Sequence, residues 1–313
     1  MLTDIVLGIQ HGDEGKGKVT HHLLENGNYT HCIRFNGGCN AGHTIYHEGV
    51  KIVTHLIPAG VFFGVKSIIG PGCVVRADKF FEEIRMLEDH GIRTAGLVKI
   101  AGNAHITTID HVKEDRKDET IGTTKSGNGP AYRDKYARLG RRACDFSIFD
   151  KYVVDMYEEL SGTADILMEG AQGFWLDVDW GDYPYVTSSH CGVGAAILNG
   201  INPRSIRDIW GVAKIYETYV GKKRFQPNNP VFAQIQKAGA EFGATTGRVR
   251  QCDWMDLGKL NKAIRMNGVN KLVFNKMDVL REVNKWTLKN PNLNFGSEQE
   301  IRSFIETNIS NDV

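Results

Sequence analysis

The chain has 313 residues, of which 41% are hydrophobic and 24% charged, and its formal net charge is +1. This balance is typical of a globular protein and, with no basic excess, argues against nucleic acid or an anionic membrane as a partner. No apolar run approaches the roughly 20 residues that span a bilayer, and the N-terminus lacks the features of a signal peptide. We therefore expect a cytoplasmic protein, and the length fits one domain over residues 1–313.

Short apolar runs alternate with amphipathic segments along the chain. The runs that predict buried strands are 4–8, 31–35, 67–69, 97–100, 166–168, 209–216 and 271–274. Helical periodicity marks 18–24, 79–90, 257–266 and a short C-terminal segment around Ile301 and Ile305. This alternation predicts an α/β fold with a mostly parallel central sheet flanked by helices.

The first predicted strand leads into GDEGKGK, residues 12–18. A glycine loop between a strand and a helix binds phosphate through backbone N–H groups and the helix N-terminus. Val19 stands where the Mg²⁺-binding hydroxyl of the standard loop would be. Asp13 and Glu14 would repel phosphate unless one of them binds Mg²⁺ or moves a proton. Asp13 is therefore a candidate for chemistry, and a plain turn with solvated lysines is the alternative.

A second nucleotide signal, NKMD at residues 275–278, follows the last predicted strand. A carboxylate at the end of a strand accepts both N1–H and N2–H of guanine, whereas adenine offers no such donor pair. A lysine stem can lie over the base plane. A motif this short also arises as a surface charge pair, but together with the phosphate loop it predicts that Lys276 and Asp278 bind guanine.

Three further polar segments offer ligand-binding groups. Residues 36–44 place His43 in a glycine-rich loop directly after a strand, where a histidine can reach a ligand. Residues 122–130 provide hydroxyls and free amides suited to a monophosphate, with a plain polar turn as the alternative. Residues 169–173 contain Gln172, whose amide can bind a carbonyl oxygen and a ring N–H together.

Two arginines alternate in residues 245–250, TTGRVR. In an extended segment Arg248 and Arg250 point the same way, which suits a dicarboxylate or a terminal phosphate. A solvated basic strand is the alternative.

Taken in order, these segments resemble the motifs of the adenylosuccinate synthetase family. The resemblance extends from about Leu7 to Asp278 and rests on GDEGKGK, GGCNAGHT, IGTT with GPAYRDK, EGAQG, YPYVTSS, GATTGR and NKMD. It implies a P-loop-like GTP-binding synthetase fold. It also implies a Mg²⁺-dependent reaction in which GTP drives ligation of L-aspartate to C6 of IMP. The expected intermediate is 6-phosphoryl-IMP, and the products are adenylosuccinate, GDP and phosphate.

The resemblance also implies roles for individual residues. Asp13 would take the N1 proton of IMP, His43 would donate to the transferring phosphoryl group, and Gln172 would orient the base. The implied GTP ligands are Gly15, Lys16, Gly17, Lys18, His43, Arg250, Lys276 and Asp278. The implied ligands of the acceptor nucleotide are Asp13, Asn40, Thr124, Arg138, Gln172, Thr187 and Arg248.

Three more expectations come from the same resemblance. Arg138 would reach the acceptor phosphate from the neighbouring subunit of a homodimer. L-aspartate would be bound by Thr246, Arg248 and Arg250. Mg²⁺ would be held by the Asp13 carboxylate and the Gly42 carbonyl.

Some positions depart from the family pattern. His11 stands where an aromatic residue, usually tryptophan, is expected, and 222–224 replaces a small, proline-containing segment near the nucleotide ribose. A phage branch of the family acts on dGMP and has a small residue in place of the phosphate-loop aspartate. Because Asp13 and NKMD are both present, we expect IMP and GTP, with dGMP or GMP as the alternative acceptor. The preference between ribose and deoxyribose stays open.

Two other classes of function also have to be considered. A non-catalytic GTP-binding switch would explain the phosphate loop and NKMD but not His43, Gln172 or the arginine pair. A nucleotide kinase would transfer phosphate to a phosphate and would not depend on L-aspartate.

Overall fold

A computed structural model of the chain describes residues 2–47, 49–162, 165–243 and 247–309. The strands, in chain order, are β1 Leu2–Gly8, β2 His31–Arg34, β3 His43–His47, β4 Val50–Thr54, β5 Lys66–Ile69, β6 Val74–Val75, β7 Val98–Ala101, β8 His105–Ile106, β9 Val153–Val154, β10 Asp165–Glu169, β11 Ile206–Lys214, β12 Tyr216–Tyr219, β13 Gln251–Asp256, β14 Lys271–Asn275, β15 Trp286–Asn290 and β16 Leu293–Phe295. The helices are α1 Lys16–Asn26, α2 Ala77–Asp89, α3 Ile109–Asp115, α4 Asn128–Ala137, α5 Met156–Glu159, α6 Val193–Ile197, α7 Val231–Ala238, α8 Leu257–Asn267, α9 Met277–Val283 and α10 Glu298–Asn308.

The main sheet has eight strands in the spatial order β14-β11-β1-β10-β2-β5-β7-β9. Every neighbouring pair in it is parallel. The predicted α/β fold with a mostly parallel sheet is therefore confirmed. In a parallel sheet the carboxyl ends of all strands meet at one edge, and ligands bind there. The phosphate loop follows β1 at this edge, and Gln172 lies just after β10.

Helices cover both faces of the main sheet. Along β1, Ile5 and Leu7 belong to one hydrophobic cluster and Val6 to the other, because successive side chains of a strand point to opposite faces. The first cluster includes buried side chains of α8 and α10, and the second those of α1 and α2. Within the described ranges, no helix is both long and apolar enough to cross a membrane. The single-domain assignment stays a prediction.

The predicted elements lie close to the observed ones, with one clear difference. The run 209–216 was expected to be one strand, but β11 ends at Lys214 and β12 begins at Tyr216. Here the chain leaves the main sheet and enters a second one, in the order β12-β13-β15-β16. Both halves of the run are largely buried, so the apolar pattern does not reveal the change of sheet.

Two elements near the site were not predicted. Strands β3 and β4 pair antiparallel, so His43 begins a strand instead of lying in a loop. The polar segment 122–130 runs into α4, which begins at Asn128.

The start of α1 depends on a glycine. Gly15 has φ +95°, and a Cβ there would lie 2.7 Å from Asn275 Nδ2. Any other residue would be strained by the backbone conformation and would collide with this side chain. The close approach brings the N-terminus of α1 against the end of β14.

Candidate active site

A cavity of about 360 Å³ lies at the carboxyl edge of the main sheet. Residues from the phosphate loop, the start of β3, the segment after β10 and the end of β12 line it. Most of the predicted site residues are among them: Asp13, Gly15, Lys16, Gly17, Lys18, Asn40, Gly42, His43, Thr124, Gln172, Thr187, Arg248 and Arg250.

Three other predicted residues, Arg138, Lys276 and Asp278, do not line this cavity. Arg138 is exposed and follows α4 in a left-handed conformation with φ 64°. Lys276 donates a hydrogen bond from Nζ to the Gly239 carbonyl (2.8 Å), and Asp278 lies in the first turn of α9. The NKMD segment nevertheless contacts the phosphate loop, because Asn275 Nδ2 donates to the Glu14 carbonyl at 2.8 Å. Thr246 lies outside the described residues.

The two acids of the phosphate loop have different roles. Glu14 is fully buried, and its Oε1 accepts hydrogen bonds from the backbone N–H of Gly12 (2.9 Å) and Gln10 (3.2 Å). Its Oε2 accepts from Lys16 Nζ at 2.6 Å, and the same Nζ donates to the Gln172 carbonyl. Glu14 thus shapes the loop, and its side chain is satisfied within the protein.

Asp13 is the acid that lines the cavity, with 36% of its side chain exposed. Its Oδ2 accepts a hydrogen bond from Arg250 Nε at 2.5 Å. Burial tends to raise the pKa of Asp13, but the charges of Arg250 and Lys214 outweigh it and hold the pKa below its ordinary value. Asp13 is therefore ionised at neutral pH and has lone pairs that can accept a proton.

Arg250 also belongs to a buried network of hydrogen bonds centred on Glu241. Arg250 Nη1 donates to Glu241 Oε2 at 2.6 Å, Lys214 Nζ lies 3.0 Å from both carboxylate oxygens, and Tyr216 donates to Oε1 at 2.5 Å. Buried charges are tolerated when they are paired in this way. Sequence reasoning missed Glu241 and Lys214, since neither lies in a recognisable motif and they are 27 positions apart.

His43 is buried beside a second charged pair. Its Nδ1 lies 2.7 Å from Glu169 Oε1 and 3.1 Å from Arg34 Nη2, and Arg34 Nε donates to Glu169 at 3.0 Å. Burial and the charge of Arg34 lower the pKa of His43 to about 4, although Glu169 opposes this. The imidazole is neutral at pH 7, and with Nδ1 engaged, Nε2 is the ring nitrogen left for a ligand.

Gln172 lies at the junction of several predicted segments. Its Nε2 donates to Asn40 Oδ1 at 3.2 Å, which joins the residues after β10 to the loop after β2. A Cβ on Gly37 would lie 2.8 Å from Gln172 Oε1, so the glycine makes room for this side chain. On the far side, Arg248 donates from Nη1 to the Gly122 carbonyl at 2.9 Å and connects its segment to the loop of Thr124.

The protein-family model described as adenylosuccinate synthetase matches residues 5–159 and 147–289. The chain belongs to the adenylosuccinate synthetase family. A relative, the adenylosuccinate synthetase of Caldanaerobacter subterraneus subsp. tengcongensis, is 36% identical over 343 residues, covering 91% of this chain and 80% of the relative. The resemblance inferred from the motifs is thereby confirmed.

Solved structures of adenylosuccinate synthetase relatives agree with the fold. The fully ligated adenylosuccinate synthetase from Plasmodium falciparum is similar with a TM-score of 0.82 and 31% identity, covering 96% of this chain and 85% of that chain. The succinoaminodeoxyadenylate synthetase of cyanophage S-2L has a TM-score of 0.76 and 21% identity, covering 98% and 99% respectively. At that identity, the likeness to the cyanophage protein shows the fold alone.

Proposed function

We propose that the chain ligates L-aspartate to C6 of IMP through a 6-phosphoryl intermediate, giving adenylosuccinate, GDP and phosphate. Membership of the family makes it a GTP-using ligase that forms a C–N bond. The observation that carries the choice of IMP is Asp13, an ionised carboxylate that lines the cavity together with Gln172. A carboxylate in this position can take the N1 proton of a 6-oxopurine, which makes the 6-oxygen nucleophilic.

The proposed chemistry needs this activation because oxygen at C6 is a poor leaving group. With N1 deprotonated by Asp13, the 6-oxygen attacks the γ-phosphorus of GTP, and the bond to the GDP oxygen breaks. The amino group of L-aspartate then attacks C6 and phosphate leaves. His43 is proposed to donate from Nε2 to the transferring phosphoryl group. Because Nδ1 faces the Glu169 carboxylate, this donation needs the protonated ring, a charge that the phosphates of bound GTP would favour.

The other predicted residues receive their roles from the cavity they line. Lys16, Lys18 and the backbone of Gly15 and Gly17 lie at the N-terminus of α1 and are proposed to bind the phosphates of GTP. The proposed ligands of the acceptor nucleotide in the cavity are Asn40, Thr124, Gln172, Thr187 and Arg248. The proposed ligands of L-aspartate are Thr246, Arg248 and Arg250, and those of guanine are Lys276 and Asp278.

Mg²⁺ fits the donors near Asp13. The Asp13 carboxylate stays ionised and lines the cavity together with Gly42. Carboxylate and carbonyl oxygens are the ligands that Mg²⁺ prefers. When bound, the ion would neutralise phosphate charge during transfer.

Arg138 is proposed to act across a homodimer. It is exposed, outside the cavity of its own chain, and close in sequence to two exposed apolar side chains, Tyr136 (64% exposed) and Leu139 (75%). Exposed apolar groups in one region are typical of a surface that another protein covers. A cytoplasmic location and a single domain over residues 1–313 complete the proposal.

A panel of acceptors tests the proposed function. GTP, L-aspartate and Mg²⁺ are incubated with IMP, dIMP, GMP or dGMP, and the succinylated base is followed by absorbance. We expect the highest kcat/KM with IMP. Product from dGMP but not from IMP would overturn the proposed acceptor. Transfer of the γ-phosphate to the phosphate of the acceptor without L-aspartate, giving a nucleoside diphosphate, would indicate a kinase. Binding of GTP without any product would indicate a switch.

The alternative acceptor is dGMP. The cyanophage S-2L protein was solved bound to dGMP with dATP as energy donor, and the alignment covers nearly the whole of both chains. This shared size favours keeping dGMP in the panel. Asp13 opposes it, because an added 2-amino group would need space that a smaller residue at this position would provide.

A further inference from the structure

Asp182 gathers three cationic side chains around one carboxylate. His11 Nε2 lies 3.0 Å from Oδ2, Lys259 Nζ lies 3.1 Å from both oxygens, and Lys223 Nζ donates to Oδ2. We name these four residues the Asp182 cluster. The Asp182 side chain does not itself line the cavity, whereas His11 does.

The contacts of the Asp182 cluster link several segments near the cavity. His11 directly precedes the phosphate loop, Lys223 follows β12, and Lys259 lies on α8. Asp182 itself precedes residues 185–188, all of which line the cavity. Residues 185–188 form one wall of the cavity, which we call the wall. The Asp182 carboxylate therefore connects the wall to the phosphate loop through His11 and to the segment after β12 through Lys223.

The position of His11 is set on both sides of its ring. Its Nδ1 lies 2.9 Å from Glu217 Oε2, opposite the contact of Nε2 with Asp182. The ring also packs edge-on against Phe225, with centroids 5.0 Å apart, and against Tyr219 at 6.1 Å. Contacts with two carboxylates and two aromatic side chains fix the His11 ring, so the position of the ring is coupled to that of Asp182.

The Asp182 cluster bridges the two ends of the acceptor site in the proposed function. Asp13, which would meet the base, follows His11 by two residues in the phosphate loop. Thr187, which would meet the phosphate region, follows Asp182 in the wall segment. The sugar must span these two ends, so the spacing that the cluster maintains determines how closely the wall fits the sugar.

We propose that the Asp182 cluster positions the wall facing the sugar of the acceptor nucleotide, and that it thereby sets the discrimination between ribose and deoxyribose. This inference rests on the proposed function for the location of base and phosphate. Asp182 is a positioning residue here, since it acts through the segments it holds. His11 and Lys223 both differ from the residues expected in the family, so the contacts that hold the wall are expected to be particular to this chain.

The test compares Asp182→Asn with the wild-type enzyme, using IMP and dIMP as alternative acceptors. The asparagine keeps the shape but weakens three charged contacts. We expect the ratio of kcat/KM for the preferred acceptor to kcat/KM for the other one to fall roughly tenfold, toward one. The change should come mainly through KM, because the contacts that distinguish the two sugars by a single hydroxyl are loosened. A purely structural role would lower kcat/KM for both acceptors equally.

A second pair of variants covers the possibility that Asp182→Asn folds poorly. Lys223→Gln removes one contact from a partly exposed position, and Lys223→Arg retains the charge. We expect Lys223→Gln to shift the ratio in the same direction and Lys223→Arg to restore it toward the wild-type value. A ratio that stays within about twofold of wild type in both Asp182→Asn and Lys223→Gln would overturn the proposal. So would a wild-type ratio close to one.

Glu159→Gln is the matched control. Glu159 also receives a histidine and a lysine, with His31 Nε2 at 3.1 Å and Lys66 Nζ in contact, but it lies outside the cavity lining. We expect its sugar ratio to equal that of wild type. Calorimetric Kd values for IMP and dIMP distinguish a failure of the proposed function from a failure of the proposal on the Asp182 cluster. Unequal Kd values without any succinylated product would refute the proposed function, while the effect of Asp182→Asn on their ratio would still test the cluster.

Discussion

The two edges of the main sheet carry the same kinds of ionised side chain in different surroundings. At the amino edge, Asp4 pairs with Arg207 at 2.6 Å, and the Arg207 side chain is 42% exposed. Glu159 meets Lys66 there, and the Lys66 side chain is 36% exposed. In both pairs the carboxylate is largely buried, with Asp4 4% and Glu159 14% exposed, but the cation reaches water, which screens the attraction.

At the carboxyl edge, two pairs are buried on both sides. Glu169 and Glu241 are fully buried, and their partners Arg34 and Lys214 are nearly so. Burying such charges is costly, and well-packed apolar residues often stabilise a fold as well or better. In these two pairs both partners are buried, whereas each pair at the amino edge leaves its cation partly in water. The buried carboxylates Glu241 and Glu169 hold Arg250 and His43 beside the cavity, where charges shielded from water interact strongly.

The largest expected effect is on Asp13, whose pKa is lowered by Arg250 and Lys214. Asp13→Asn keeps the side-chain shape but removes the proposed base, so we expect kcat to fall by about a thousandfold. Initial rates of succinyl product formation measure it, and a thermal melt serves as the folding control. A kcat within about tenfold of wild type would show that Asp13 is not the base.

The next effect is on stability at the carboxyl edge. Glu169→Gln leaves the buried guanidinium of Arg34 without its charged partner, so we expect the free energy of unfolding to fall by about 3–5 kcal/mol. Urea denaturation at pH 7 measures this change. A loss below about 1 kcal/mol would mean that the two edges are energetically alike.

Acid should weaken the same pair. Burial raises the pKa of Glu169, but Arg34 and His43 overcome this and lower it from an ordinary 4.5 to about 2. A carboxyl whose pKa is lower in the folded state stabilises the fold above its unfolded pKa, and that stability is lost as pH falls. We expect wild type to lose about 3 kcal/mol between pH 4.5 and about 2 from this group. Glu169→Gln should lack this part of the pH dependence, and parallel curves for the two proteins would contradict the assignment.

The smallest effect is expected at the amino edge. Glu159→Gln removes a partly exposed partner of Lys66, so the free energy of unfolding should change by less than about 1 kcal/mol. The same urea titration measures it. A loss as large as that of Glu169→Gln would remove the distinction between the edges.

Most of the main sheet could be predicted because each of its strands is a short apolar run in local sequence. Helix 79–90 was predicted for the same reason and is observed as α2, with Phe80 and Ile84 buried. The second sheet was not predicted, since β12 continues the apolar run of β11 after a single residue. No local pattern marks the point where a chain changes sheets.

The residues of the candidate site also divide into those that the sequence predicted and those that it did not. Most of the site residues predicted from motifs line the cavity. Their supports were missed because their partners are distant in sequence. Arg34 and Glu169 are 135 positions apart, and the partners of Asp182 are between 41 and 171 positions from it. Glu169 was visible within a motif but had no assigned role, since its partners are fixed by the pairing of β2 with β10.

Arg250 holds Asp13 with Nε and Glu241 with Nη1, so one side chain takes part in two functions. Its charge lowers the pKa of Asp13, the proposed base, and it is also a proposed ligand of L-aspartate. Evolution toward a different amino-acid substrate could not replace Arg250 without also changing the acidity of the base. In a series of Arg250 variants, the KM for L-aspartate and the pH profile of kcat should therefore change together.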